Sequence, residues 1–386
     1  MRASRFISER LDFRGRLTVA ATAVSFFVIA LSLIVTGGFR REIRLALSEL
    51  AGDVQMSASV QSIYGEGEPV SVAAPYVQRL REEAGVEEIK PVIYRSAVVK
   101  AGGSLEGVLF KAAPSQNGGL SVSVPSSMAK KLSLEKGDRL LTYFVGEKVK
   151  IRNFTVGDIY EDPLRADDRI LVFCSLGDLQ RVNGWDSTEV SSFEVKLSPR
   201  YAAPEKQKRK AAELSFLTSL YSESETPPLV ATAAAQRYAR IFDWLNLLDF
   251  NVLAILLLMT LVAGFNMVSG LLIVLFRNTS AIGTLKALGM GDRGISEVFL
   301  RLSSKVVLKG MGIGVGAALL FALIQGGTRL IRLNPVNYFV SFVPVSVNPL
   351  QLLLVCALCY AAIMLILLLP TLFIGRVSPS ETIRIK

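Results

Sequence analysis

The chain has 386 residues, 51% of them hydrophobic, and a formal net charge of +10 at neutral pH. Its mean hydropathy of +0.43 is rarely reached by a soluble enzyme of this size, so the composition indicates a membrane protein. The sequence contains no histidine, which excludes Ser-His-Asp and Cys-His catalytic sets and removes the commonest metal ligand. Because many basic residues flank apolar runs, the charge favours membrane orientation over nucleic-acid binding.

Four apolar runs predict four transmembrane helices, because a spanning helix needs about 20 mostly apolar residues. The runs are Thr18–Val35, Val252–Phe276, Val306–Gln325 and Leu350–Ile374. The first could also be a cleaved signal peptide, since arginines precede it. It lacks a small-x-small cleavage site and continues into a charged helical pattern that Gly52 ends, which favours a retained membrane anchor.

Basic residues beside these runs predict the orientation, because cytoplasmic loops carry an excess of lysine and arginine. The N-terminus, the loop between the second and third runs, and the C-terminus are all basic, whereas the last loop has only Arg329 and Arg332. Both termini and the segment 277–294 are therefore predicted to be cytoplasmic. The remaining predicted boundaries are a basic N-terminus at 1–16, transmembrane helices at 17–39, 248–276, 295–328 and 350–375, an outward-facing domain at 40–247, an outward-facing loop at 329–349 and a cytoplasmic tail at 376–386.

The region 40–247 alternates short strand and helix patterns, which predicts a mixed α+β domain of two subdomains with its own core. The predicted strands are Val54–Val60, Ile89–Lys100, Gly107–Ala112, Arg139–Val145, Val149–Tyr160, Ile170–Phe173 and Ser192–Leu197. The predicted helices are Pro75–Ala84, Ser126–Leu132, Leu176–Val182, Pro204–Leu220 and Ala234–Leu248.

A polar segment, 277–290, separates the second and third apolar runs. Apolar residues recur in it at helical spacing, which predicts one apolar face on a short helix: Ala281, Ile282, Leu285 and Leu288. Asn278, Thr279 and Ser280 are N-cap candidates, and Gly289 is a C-terminal stop. Such a face could fill a groove on a soluble partner or lie on lipid, and its modest hydrophobicity favours the partner.

Four glycines alternate with other residues in the third run: Gly310, Gly312, Gly314 and Gly316. They contain two small-x-x-x-small pairs, which allow close helix approach in lipid. A phosphate-binding loop is the alternative, but it would be buried in hydrocarbon. The sequence therefore predicts helix packing at these positions.

Other candidate sites favour structural roles. Glu161-Asp162 and Asp167-Asp168 match no Ca²⁺ loop spacing, and the neighbouring Pro163 favours a polar turn. The pair Cys356 and Cys359 has redox spacing but lies in an apolar run, where an accessible thiolate is disfavoured. The sequence also lacks a P-loop. We therefore predict no catalytic residue, metal site or bound cofactor in this chain.

Four groups of residues carry a resemblance that covers nearly the whole chain. They are Thr36–Ile43; Gly137-Asp138 with Phe154–Tyr160, Asp167–Arg169 and Leu171–Phe173; Ile241–Asp249 continuing to Ile282–Gly289; and Pro370 with Ser378–Arg384. With these motifs the sequence resembles the FtsX-like/MacB-type ABC transporter permeases, in particular their LolC/LolE branch.

The resemblance implies four transmembrane helices and one two-part periplasmic domain in the bacterial inner membrane, surrounded by membrane lipid. It implies a second permease chain, identical or paralogous, and two copies of a separate cytoplasmic ATPase that holds ATP and Mg²⁺. It also implies extraction of lipoproteins from the inner membrane and their transfer to a periplasmic carrier.

The resemblance further implies that 277–294 contains a coupling helix that contacts the ATPase. The implied contact residues are Asn278, Thr279, Ala281, Ile282, Leu285, Lys286 and Leu288. Two positions depart from the family pattern: Arg277-Asn278 replaces an acidic residue followed by arginine, and Lys111-Ala112 replaces Arg-Gly.

Two other functions fit the same architecture. One is export of a drug, peptide or lipid, although relatives that export drugs commonly carry a fused ATPase. The other is activation of a cell-wall hydrolase without transport, as in FtsX-type proteins, whose outward domains are usually smaller. The size of region 40–247 favours lipoprotein release over hydrolase activation.

Overall fold

The computed structural model describes residues 16–58, 68–101, 103–114, 119–146, 149–161, 170–222, 226–334 and 338–372. The predicted N-terminal segment before residue 16, the predicted tail, and Asp162, Asp167 and Asp168 lie outside these ranges. The described residues form two compact units. A helical unit comprises the parts up to Arg41, Leu245–Leu333 and from Phe342 on, and an α/β unit comprises Glu42–Trp244 and Asn334–Ser341.

The elements are numbered in chain order. The helices are α1 (Arg16–Ala51), α2 (Pro75–Glu82), α3 (Ser126–Leu132), α4 (Leu176–Asn183), α5 (Pro204–Leu220), α6 (Ala234–Arg237), α7 (Ala239–Arg277), α8 (Thr279–Ala287), α9 (Asp292–Thr328), α10 (Pro349–Ile366) and α11 (Leu368–Leu372). The strands are β1 (Val54–Ser57), β2 (Val70–Ser71), β3 (Val86–Ala101), β4 (Ser104–Ala113), β5 (Ser121–Pro125), β6 (Arg139–Phe144), β7 (Lys150–Tyr160), β8 (Ile170–Ser175), β9 (Glu189–Val190), β10 (Ser192–Leu197) and β11 (Val230–Ala233).

The helical unit contains four helices that are long and apolar enough to cross a membrane: α1, α7, α9 and the stretch from α10 to Pro370. Each contributes to one buried core, as shown by Phe26, Met267, Val307 and Ile363, all fully buried. Lipid is as apolar as these side chains, so close packing rather than water exclusion holds such helices together.

The α/β unit is built on a nine-stranded sheet in the order β11-β1-β10-β3-β4-β8-β5-β7-β6. The long strand β3 belongs to both halves of this sheet, because its first part pairs with β10 and its second part pairs with β4 and β6. The β3–β6 pairing joins the first and last of six consecutive strands in this order, so that among the described residues these six strands form a closed sheet. The aromatic rings of Phe110, Phe144 and Phe154 pack in this part, with centroids 5.2–6.2 Å apart.

Several elements differ from the sequence predictions. The short strands β2, β5, β9 and β11 were not predicted, and the predicted helix Ala234–Leu248 is divided at Tyr238 into α6 and α7. The division into two subdomains stays a prediction. The segment 338–341 packs within the α/β unit, where the Phe339 ring meets Trp244 edge to face at 5.5 Å.

The two connections between the α/β unit and the long helices lie side by side. Strand β1 follows α1, strand β11 precedes α6 and α7, and the two strands pair antiparallel with Val54 opposite Ala233. The backbone N–H of Ala234 also donates to the Asp53 carbonyl at 2.8 Å. We call residues 48–57 and 230–238 the stem.

Asp53 is the main polar anchor of the stem, and its side chain is buried. Its carboxylate accepts hydrogen bonds from the Ser48 hydroxyl at 3.0 Å, the Leu197 N–H at 2.9 Å and the Gln207 amide at 3.0 Å. These bonds join the last turn of α1 to β10 and α5.

We expect Asp53→Ala to lower the stability of the protein by about 2–3 kcal/mol, because buried donors on Leu197 and Gln207 lose their acceptor. The exposed Asp186→Ala is the matched control and should leave stability unchanged. The measurement is the unfolding temperature of the purified protein. Equal unfolding temperatures for the two variants would contradict the anchoring role of Asp53.

Candidate coupling site between the second and third long helices

Helix α8 follows α7 almost without a break, with Asn278 between them. Asn278 was predicted to cap α8, but its side chain makes no capping bond and instead donates to the Val274 carbonyl of α7 at 2.8 Å. The Thr279 hydroxyl likewise donates back to the Phe276 carbonyl at 3.1 Å. Asn278 is therefore the N-cap residue, as predicted, but makes no side-chain capping bond, and Thr279 is the first residue of the helix. The side chains of both residues attach the start of α8 to the end of α7.

The end of α8 follows the prediction from sequence. Gly289 has a φ of +89°, the left-handed conformation that glycine adopts at low cost and that commonly ends helices. The Met290 N–H donates to the Leu285 carbonyl at 2.9 Å across this turn. The chain then enters α9 at Asp292, so α8 is a short helix between two long helices.

The predicted apolar face of α8 is divided between two environments. Ile282 is only 1% exposed and lies in the same buried cluster as Ile295 and Phe299 of α9. Leu288 is 80% exposed, Ala281 is exposed and Leu285 is half-buried. Ile282 therefore holds α8 to its own unit, and the surface open to a partner is narrower than the sequence predicted.

Lys286 is also engaged within the chain. Its Nζ atom lies 2.9 Å from the Asp292 carboxylate, and the lysine side chain is only 11% exposed. Asp292 begins α9, where a carboxylate interacts favourably with the positive end of the helix dipole. Helical periodicity does not indicate this pair, because Lys286 and Asp292 lie in different helices.

These contacts fix α8 at three places: its start on α7, its middle through Ile282, and its end on α9. A force on exposed Leu288 would therefore reach both long helices. Among the described residues, no group of three or more cysteine, aspartate or glutamate side chains could hold a metal ion.

The four alternating glycines of α9, at positions 310, 312, 314 and 316, divide into two pairs with different surroundings. A Cβ atom added at Gly310 would lie 2.9 Å from the Thr22 Cβ of α1, and one at Gly314 would lie 2.2 Å from the Ala23 carbonyl oxygen. Cβ atoms at Gly312 and Gly316 would have no neighbour within 4 Å. Gly310 and Gly314 therefore allow the close approach of α1 and α9. Gly312 and Gly316 instead line an open apolar groove of about 620 Å³, together with Val347 and side chains of α9 and α10.

Comparison with known proteins gives consistent matches. Residues 253–379 match the family described as FtsX-like permease C-terminal. The chain is 22% identical to the lipoprotein-releasing system transmembrane protein LolC of Xylella fastidiosa strain 9a5c, over 97% of this chain and 94% of that protein. It is 21% identical to the LolC protein of Neisseria meningitidis serogroup B strain MC58 over the same shares.

Two solved structures also align with part of the chain. The periplasmic region of MacB from Actinobacillus actinomycetemcomitans aligns with a TM-score of 0.31 and 11% identity, covering 50% of this chain and 95% of that structure. The extracellular domain of the transporter YknZ from Gram-positive bacteria aligns with a TM-score of 0.28 and 11% identity, covering 47% of this chain and 98% of that structure.

Proposed function

We propose that this chain, as an ABC transporter permease of the FtsX/LolC type, releases lipoproteins from the bacterial inner membrane. The observation that carries the proposal is the extent of the LolC similarity, which spans 97% of the chain. The similarity therefore includes the α/β unit as well as the permease helices. A match confined to 253–379 would fit an exporter of other substrates or an FtsX-like activator equally well.

In the proposed cycle, energy enters by contact with a separate cytoplasmic ATPase. The chain has no P-loop, so ATP and Mg²⁺ are held by two copies of that partner. The exposed end of α8 together with Leu288, which directly follows it, is the proposed contact surface. The attachments of α8 to α7 and α9 then transmit the movement of the ATPase to the long helices.

The proposed orientation places both termini and α8 in the cytoplasm and the α/β unit in the periplasm. Its support is the basic character of the loop around α8, which contains Arg277, Lys286 and Arg293. The proposed assembly contains a second permease chain, either identical or paralogous. Released lipoprotein passes from the periplasmic side to a soluble carrier.

Depletion of the protein should leave lipoproteins in the inner-membrane fraction, because no other step of the proposed cycle removes them. The measurement is the distribution of labelled lipoproteins between separated inner and outer membranes. Complementation with the wild-type gene should restore sorting, and Gly312→Ala should do so equally, since the added methyl group meets no neighbour. Normal sorting in depleted cells would overturn the lipoprotein proposal and favour the alternative functions.

A further inference from the structure

A buried ion pair joins two strands of the α/β unit beside the stem. Lys111 of β4 and Glu194 of β10 have side chains that are 5% and 4% exposed. The Lys111 Nζ atom lies 2.7 Å from one Glu194 carboxylate oxygen and 2.8 Å from the other. The same Nζ atom donates a hydrogen bond to the carbonyl of Leu50, in the last turn of α1.

The Leu50 contact attaches the end of α1 to the sheet. The last carbonyls of a helix have no partner within it, and a cation there is favoured by the helix dipole. Lys111 supplies that cation from a strand that is remote in sequence. The chain then turns at Gly52, whose φ is +68° and where an added Cβ atom would lie 3.1 Å from the Glu194 Cβ. The end of α1 is therefore in close contact with the residue that holds Lys111.

The second connection reaches the same carboxylate. The Tyr94 hydroxyl donates a hydrogen bond to Glu194, and the Arg237 guanidinium of α6 lies 4.9 Å from the Tyr94 ring centroid. Burial raises the pKa of Tyr94, so its hydroxyl stays a donor at neutral pH. Arg237 closely precedes the start of α7. Both connections to the long helices therefore converge on Glu194.

Stability alone is a weak reason for this arrangement. Desolvating two charges costs about as much as their attraction returns, and well-packed apolar residues often stabilise a protein as well or better. A buried pair does fix position, because breaking it leaves an uncompensated charge. Here the positions it fixes are those of the end of α1 and, through Tyr94, the start of α7.

We propose that the Lys111–Glu194 pair is the mechanical clasp through which α1 moves the periplasmic sheet, so that both connections move as one body. This inference rests on the proposed function only for the direction of the force, which enters from the cytoplasmic side. Without the clasp, the end of α1 would move without carrying β4 and β10 with it.

The test is the double substitution Lys111→Met/Glu194→Gln in the complete transporter. It removes both charges of the pair together, so the net charge of the site does not change, and the amide oxygen that replaces the Glu194 carboxylate can still accept from Tyr94. The matched control is Lys210→Met/Glu83→Gln. That pair also joins a buried lysine to a glutamate oxygen, at 2.7 Å and in the same unit. It differs in that Glu83 is 32% exposed, that Lys210 also lies 3.2 Å from the Glu213 carboxylate, and that the lysine lies on α5 rather than on β4.

Three readouts are needed: the ATPase rate, lipoprotein release from proteoliposomes, and the ATP-dependent change in distance between spin labels at exposed Leu105 and Leu330. We expect the clasp variant to hydrolyse ATP at the wild-type rate but to lose about tenfold in release, within the usual range of coupling energies. It should also lose the distance change. The control variant should match the wild type in all three, and both variants should unfold at similar temperatures.

The outcomes separate the clasp from the proposed function. A clasp variant that keeps release and the distance change overturns the clasp, as does equal loss in both variants. A wild-type complex that moves with ATP but releases no lipoprotein overturns the proposed function only. Loss of that movement in the clasp variant would still support the clasp. A wild-type complex whose labels do not respond to ATP overturns the clasp.

Discussion

Replacing Leu288 with aspartate should detach the proposed ATPase partner while this chain stays folded and inserted. Leu288 is 80% exposed at the end of α8, so the substitution disturbs little within the chain. A leucine that fills a partner's pocket can act as an interface anchor. A carboxylate in that pocket would lower the binding free energy by about 2–4 kcal/mol, a factor of about 30 to 1,000 in affinity. The measurement is the amount of ATPase that co-purifies with tagged permease.

Two control variants make this result specific to the α8 surface. Leu330→Asp changes a leucine of similar exposure, 76%, in the loop after α9, and should retain the ATPase. Ile282→Asp places a charge in the helical core and should reduce the amount of folded permease rather than its affinity. Full co-purification with Leu288→Asp would exclude α8 as the docking surface.

The long helices could be predicted from sequence because a lipid-spanning helix requires a long apolar run, and nothing else in the chain resembles one. The turns at Gly52 and Gly289 were also predictable, since both glycines adopt the left-handed conformation that ends a helix. Strands β2 and β9 have two residues each, too few to show an alternating pattern. Their pairing depends on tertiary contacts that a local pattern does not contain.

The apolar face of a helix was easier to predict than the neighbours that this face contacts. Helical spacing shows that Ile282 and Leu288 share a face but does not show that the chain itself covers Ile282. The same holds for Gly314 and Gly316, since only the packing of α1 distinguishes them. Sequence periodicity thus identified the candidate site, whereas the structure divided it into internal and available parts.

The clasp could not be predicted because its two charges are 83 positions apart. They meet because β4 and β10 both pair with β3, one along each half of that strand. The only sequence signal was Lys111 itself, where the family pattern has arginine. That departure marks the position without identifying its partner Glu194 or its contact with Leu50.

Gly314→Ala should destabilise the packing of α1 against α9 by about 2–3 kcal/mol, the cost of overpacking a close interface. The new methyl carbon would lie 2.2 Å from the Ala23 carbonyl oxygen and 2.8 Å from the Phe27 backbone nitrogen. Backbone atoms of a helix cannot move aside as a flexible side chain can. The two helices must therefore separate along their contact, which loses dispersion contacts around Phe26 as well.

Gly316→Ala is the matched control, about one half-turn further along the same helix. Its methyl group meets no atom within 4 Å, and alanine favours helix over glycine by about 1 kcal/mol. The control should therefore be as stable as the wild type or slightly more so, while Gly314→Ala unfolds at a lower temperature in the same detergent. Equal unfolding temperatures for the two variants would contradict the close α1–α9 contact. A loss confined to Gly314→Ala would show that packing, rather than the general helix propensity of glycine, sets the requirement at this position.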